Sequence, residues 1–124
     1  MSTAAQVLAV AIGVMLVAVF VMEAFLYRNP RLYPMFLIEP HEYEAVRMWT
    51  VNVGFYNLTT AVAMFAGVAL ARGDHLPQGE ALVVFTAAQH VFLAFVLLAT
   101  RPKLWLNSVL EGVPAAVLLA LVLF

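Results

Sequence analysis

The chain has 124 residues, 65 % of them hydrophobic and only 10 % charged, with a formal net charge of −1 at pH 7. A water-soluble domain is roughly half apolar and about a quarter charged, so a soluble globular fold is excluded. No basic stripe is present, which excludes nucleic acid as a partner, and without cysteine there is no disulfide, thiolate nucleophile, Cys-ligated zinc or iron–sulfur cluster.

Apolar runs cover residues 4–27, 43–71, 81–100 and 104–124. Each is near or above the roughly 20 residues that an α-helix needs to cross a hydrocarbon core of about 30 Å. The expected fold is therefore all-α: an integral membrane four-helix bundle in which residues 1–124 form one transmembrane domain. Met1 to Gln6 carries no positive charge before the first run, and that run is longer than the apolar part of a secretory signal, so it is expected to remain as the first span.

The first run stops at Tyr27-Arg28-Asn29-Pro30-Arg31, where cations, an Asn and a Pro end the helix. The connection that follows is punctuated by Pro34 and Pro40, and Tyr33, Met35, Phe36 and Leu37 predict a short interfacial helix or an ordered loop. Glu42 and Glu44 then fall where carboxylates favour the positive end of a helix dipole. Arg72-Gly73-Asp74-His75-Leu76-Pro77-Gln78-Gly79 reads as a turn cluster, and Arg101-Pro102-Lys103 as a tighter one. Short links make successive spans antiparallel, giving an up-down-up-down order. Arg28, Arg31, Arg47, Arg101 and Lys103 lie towards the first and third connections, with Arg72 alone at the opposite end. By the positive-inside rule both termini are expected outside a bacterial inner membrane.

Ionisable groups within a span cost at least about 2.5–3.5 kcal/mol at its centre, so they face a protein interior and mark function by default. Glu23 near the end of the first span and Arg47 near the start of the second are expected to pair, either as a structural ion pair or as a gate at the cytoplasmic mouth. Glu111, His90, Asn52 and Tyr56 are expected at one depth on three different spans. Thr86, Gln89 and His90 form one polar stripe at helical spacing, Asn107, Ser108 and Glu111 a second, and Asn52, Tyr56, Thr59, Thr60 and Ala63 a third. All three stripes are expected to avoid lipid and point at the bundle axis.

Two readings of this centre stand side by side. In one, the amides, Tyr and His only hydrogen-bond across helices. In the other, Glu111 and His90 form a titrating pair that relays protons or binds a polar headgroup, with Asn52, Tyr56, Gln89 and Asn57 around it. One His and one carboxylate make a thin metal shell, since transition-metal sites generally use three or more protein ligands. His41 with Glu42 and Glu44 is better read as solvated than as a metal site on the same argument, and no cofactor is indicated. Pro114 removes a backbone hydrogen bond just past Glu111, so a bend there is expected to set Glu111 beside a small cavity.

At Asn52-Val53-Gly54-Phe55-Tyr56-Asn57 the chain resembles a bacterial family of small four-span membrane proteins of unknown function, numbered thirteen-oh-four. Glu23-Ala24-Phe25-Leu26-Tyr27 and Glu111-Gly112-Val113-Pro114-Ala115 carry the likeness in the first and last spans. The resemblance implies the four-span architecture and the place of a site, and no activity. It also implies Gln at the position of Glu111, an aliphatic or small residue near His90 and an acid near Met15, so the polar centre of this chain departs from the family pattern.

The leading expectation is a membrane protein that binds or passes a small polar or amphipathic molecule through a mid-membrane centre, with proton linkage through Glu111 and His90 as its concrete form. The alternative is an accessory or assembly subunit, either a homo-oligomer or part of a larger membrane complex. A membrane enzyme acting on a lipid-borne substrate ranks third, because no nucleophile, phosphate loop or metal motif supports it.

Overall fold

The computed structural model describes residues 1–124. Helix α1 spans Thr3–Phe25, and the Ser2 hydroxyl caps it by accepting from the Ala5 N–H at 3.2 Å. Past Phe25 the chain crosses to the next span through three short helical turns. The Asn29 side chain accepts from the Arg31 N–H at 3.0 Å and opens a 3-10 turn over Pro30–Leu32. This turn runs into α2, Tyr33–Phe36, which Leu37 ends by entering the left-handed region at φ 54°. A second 3-10 turn, Pro40–Glu42, is fixed by the Glu39 N–H donating to the Glu42 carboxylate at 2.8 Å. Three prolines early in these turns cost no hydrogen bond, because first-turn N–H groups have no partner within a helix.

Helix α3 spans Tyr43–Arg72, α4 Leu76–Thr100 and α5 Trp105–Leu123, with a 3-10 turn over Pro102–Leu104 before α5. Four helices are thus long and apolar enough to cross a membrane. The two later connections are short, so the helices alternate in direction, and the first and third connections lie at one end of the bundle.

Helix α4 starts five residues before the expected 81, inside the segment that reads as a turn. Pro77 sits in its first turn, where the missing N–H is harmless. Gly79 serves a helix crossing instead of a turn: a Cβ there would lie 2.4 Å from both the Ala71 nitrogen and the Gly67 carbonyl oxygen. At the other end of α3 a Cβ on Gly54 would lie 3.0 Å from the Ala24 nitrogen. Small residues therefore set how closely α3 approaches both neighbours.

Helix α1 packs along α3, α3 along α4 and α4 along α5, whereas α1 and α5 meet only sparsely. All four spans share one apolar core: Ala5, Ala9, Ile12 and Leu16 from α1, Ala61, Met64 and Val68 from α3, Val83 and Ala87 from α4, and Ala115 and Leu118 from α5. These residues lie in the half of each helix nearer the α3–α4 connection. The outer faces carry Phe85, Phe92 and Phe95, each about two-thirds exposed, which is the surface that acyl chains solvate. The core thus closes one end of the bundle and leaves the other to a cavity.

Candidate functional site

That other half holds a cavity of about 560 Å³, within the size range of small-molecule sites, and 14 of its 19 lining residues are hydrophobic. Met15, Val19 and Met22 of α1 wall one side and Leu104 and Leu110 the other, with Leu93 and Leu97 of α4 behind. Trp49 and Val53 of α3 and Met35, Phe36 and Ile38 from the first connection add to the lining. The polar lining consists of Glu23, Glu111, Asn57, Asn107 and Thr50.

Glu23 does not pair with Arg47. Its Oε1 accepts from Asn57 Nδ2, while Arg47 is exposed. The reason is geometric: α3 extends well beyond the end of α1, so Glu23 comes level with Asn57, and Arg47 lies ten residues, about 15 Å, further along the helix. Other ion pairs tie the chain instead, the Met1 ammonium to Glu80 at 3.1 Å and Arg28 to Glu44.

His90 and Glu111 do not meet either. His90 is 2 % exposed and its Nδ1 donates to the Thr86 carbonyl oxygen at 2.9 Å, whereas Glu111 opens into the cavity that His90 does not line. Counted from the connection between α4 and α5, His90 lies ten residues in and Glu111 six, a difference in depth of about 6 Å. Ser108, Ala115 and Leu118 form the buried face of α5, and Gly112 comes against Ala94 of α4. Glu111 stands to one side of that face, turned towards the cavity. Pro114 lies inside α5 without interrupting it.

The three stripes behave differently. Thr86, His90 and Ser108 are buried, with Gln89, Asn107 and Glu111 half-buried. On α3, by contrast, Asn52 and Thr59 are exposed and Tyr56 is 69 % exposed, so this stripe faces away from the bundle. Asn52 Nδ2 donates to the Met48 carbonyl at 2.7 Å, and the hydroxyls of Thr59 and Thr60 both donate to the Tyr56 carbonyl at 2.8 Å. Gly54, Ala61, Met64, Gly67 and Val68 take the inward side, and Gly54 and Gly67 permit the close crossings with α1 and α4. Asn57 is the polar residue of the second-span motif that lines the cavity.

The first connection is fastened to the cavity. Asn107 Nδ2 donates to the Met35 carbonyl at 2.7 Å, joining residues 72 positions apart. The Tyr33 hydroxyl donates to Glu39 at 3.1 Å, and this bond to a carboxylate raises the Tyr33 pKa above its ordinary value. Arg28 Nε donates to the Tyr27 hydroxyl at 3.1 Å and its Nη2 to Glu44; together these partners push the Arg28 pKa up.

Chemically, this is an apolar chamber with two carboxylates and two carboxamides on its wall and no cationic side chain. It offers acceptors to a donor-bearing head and hydrocarbon contacts to a tail. No three His, Asp or Glu side chains gather as a metal-binding group. The bond from Asn107 to Met35 and the pairing of Glu23 with Asn57 are the features that reading along single helices misses, because both depend on which segments become neighbours.

No curated protein and no solved structure matches the chain. Residues 9–123 match the family model described as protein of unknown function, DUF1304, and with most of its length so covered the chain belongs to that family.

Proposed function

We propose that this protein binds a small amphipathic molecule in the chamber between α1 and α5 and passes it across the bacterial inner membrane, coupled to proton exchange on the chamber carboxylates. The observation that carries this reading is the placement of Glu23 and Glu111 on the wall of one largely apolar cavity with no cationic side chain beside them. Glu23 already has the Asn57 amide as a donor, so it is Glu111, with no partner in the chain, that must take a proton or a donor from a guest, since desolvated charge without a partner is costly. Binding a head that donates hydrogen bonds and releasing a proton are then linked steps. His90, engaged with Thr86, stays outside the exchange.

The orientation proposed for the chain puts both termini outside. Arg28, Arg31, Arg47, Arg101 and Lys103 all belong to the end that holds the first and third connections, and Arg47, being exposed, counts with them. The chamber then opens nearer the cytoplasmic side.

Dansylcadaverine, a fluorescent amphipathic primary amine, tests the reading in proteoliposomes. Its emission is expected to rise on binding, and its flux to follow an imposed pH difference. Glu111→Gln is expected to remove the pH-dependent flux and leave helical content by circular dichroism unchanged. Flux and binding that ignore Glu111→Gln would overturn the proposal.

A further inference from the structure

The chamber is polar at one end only. Glu23 lies two residues from the end of α1, Asn107 and Glu111 fall in the first two turns of α5, and Thr50 and Asn57 stand in the half of α3 nearer the first connection. From Glu23 back along α1 the lining is Met22, Val19, Ala18, Leu16 and Met15, without a polar side chain. Leu16 is 3 % exposed and belongs to the shared core as well as to the chamber wall, so the core is the floor. From Glu23 to Met15 is eight residues, about 12 Å of helix. The apolar arm of the chamber therefore has a fixed length and a closed end.

We infer, resting on the reading of the chamber as an amphiphile site, that its guest is a single-chain primary amine, with the ammonium group between Glu23 and Glu111 and the chain laid along α1 to end on Met15 and Leu16. The head follows from the wall. Asn57 Nδ2 donates to Glu23 Oε1, which leaves Glu23 Oε2, Asn57 Oδ1 and the Glu111 carboxylate to accept. A primary ammonium has three donors and no acceptor, and its charge answers two carboxylates that no cationic side chain of the chamber meets. The chain follows from the floor. An extended chain advances about 1.2 Å per bond, so about ten carbons reach from the carboxylates to Met15. The whole chamber, about 560 Å³, has the volume of a site for one small molecule, which suits one such chain. In the other direction the chamber ends on Met35, Phe36 and Ile38, and Asn107 and Thr50 stand on that path. An alkyl chain laid there would desolvate an amide and a hydroxyl, whereas the arm along α1 offers it apolar contact alone.

Met15 is half-buried and lies outside the shared core, so it can be changed without cutting into the residues that hold the bundle. The test is displacement of dansylcadaverine from the protein in phosphatidylcholine nanodiscs by n-alkylamines, hexyl to hexadecyl, with affinity referred to the amine free in water. Affinity is expected to rise about four-fold per carbon, the gain for one buried methylene, as far as decylamine and to stop rising beyond it. Met15→Ala is expected to move the break about two to three carbons longer, the room left by the atoms it removes. Met15→Trp is expected to move it shorter, and misfolding does not produce opposite shifts. Phe36→Ala, at the other end of the chamber, is expected to leave the break in place. A break that follows Phe36→Ala and ignores Met15→Ala overturns the inference, as does affinity that climbs evenly to hexadecylamine; in both cases the chamber remains an amphiphile site. Failure of every amine to bind, dansylcadaverine included, overturns that reading and this inference together.

Discussion

The Asn57 carboxamide donates a hydrogen bond to the Glu23 carboxylate, joining α1 to α3 across 34 positions of sequence, one turn from where Gly54 packs against the backbone of Ala24. The close crossing at Gly54 brings the groups within reach, and their bond sits on the wall of the chamber. A helix contact and the chamber wall therefore share the same two side chains.

Removing the amide leaves the Glu23 carboxyl without its donor in a low-dielectric site. Asn57→Leu is expected to destabilise the fold by about 1–3 kcal/mol, the cost of orphaning a buried acceptor, measured by denaturant unfolding in micelles. Combining it with Glu23→Gln is expected to cost less than the sum of the single changes. Glu23→Gln combined with Arg47→Gln is expected to be additive, since these two do not touch. Coupling between Glu23 and Arg47 would contradict the pairing described.

The crossing of α3 and α4 makes an equally direct prediction. A methyl group on Gly79 would meet backbone atoms of Ala71 and Gly67 at 2.4 Å, and backbone cannot swing aside. Gly79→Ala is expected to cost about 1–3 kcal/mol, the range for overpacking. Gly73→Ala is the control. Its new Cβ would come no nearer than 3.8 Å to its closest neighbours and its φ is −98°, so a change within about 0.5 kcal/mol is expected. Equal effects at the two positions would show that the crossing is looser than drawn.

The spans were legible in the sequence because hydropathy alone requires them, and the ordered first connection because its prolines and Asn29 punctuate it. The start of α4 was not, since Pro77 and Gly79 carry the same local signal in a turn as in a helix that begins with Pro and packs through Gly. The facing of α3 differs from the expectation for a related reason. Polar residues occupy both of its sides, Asn57 inward and Asn52 with Tyr56 outward, and a rule that turns polar groups towards the axis cannot choose between them. The small residues Gly54, Ala61 and Gly67 carry the better signal, because close approach needs small residues whatever the polarity nearby. Glu111 and His90 were set at one depth by counting from span ends that are only roughly known. The chamber had no sequence signal, being a place where side chains of α1 and α5 fail to meet.

One hydrogen bond holds the first connection against the chamber. Asn107→Leu removes the donor to the Met35 carbonyl while keeping the side-chain volume close. Backbone amides of residues 33–38 are expected to exchange with deuterium faster, with protection in α3 and α4 unchanged, because opening would be local. Unaltered exchange would mean that Met35, Phe36 and Ile38 are held by apolar contact alone.

The same connection carries a titration with a definite sign. Tyr33 is the donor to Glu39, so the neutral phenol makes the bond and the phenolate cannot, and the carboxylate charge opposes ionisation besides. The folded pKa of Tyr33 is accordingly above that of the unfolded chain. The stabilisation is fully present below the unfolded value and disappears as pH rises through the folded one, which confines the effect to alkaline solution. Phenolate absorbance, with Tyr33→Phe subtracted to isolate this ring, is expected to place its titration above that of an ordinary tyrosine. Glu39→Leu, which removes both the hydrogen-bond acceptor and the charge, is expected to bring it back down, and Glu39→Gln only part of the way, because an amide oxygen still accepts the hydrogen bond but no longer repels the phenolate. A Tyr33 titration indifferent to Glu39→Gln would mean that the connection does not hold the two side chains together.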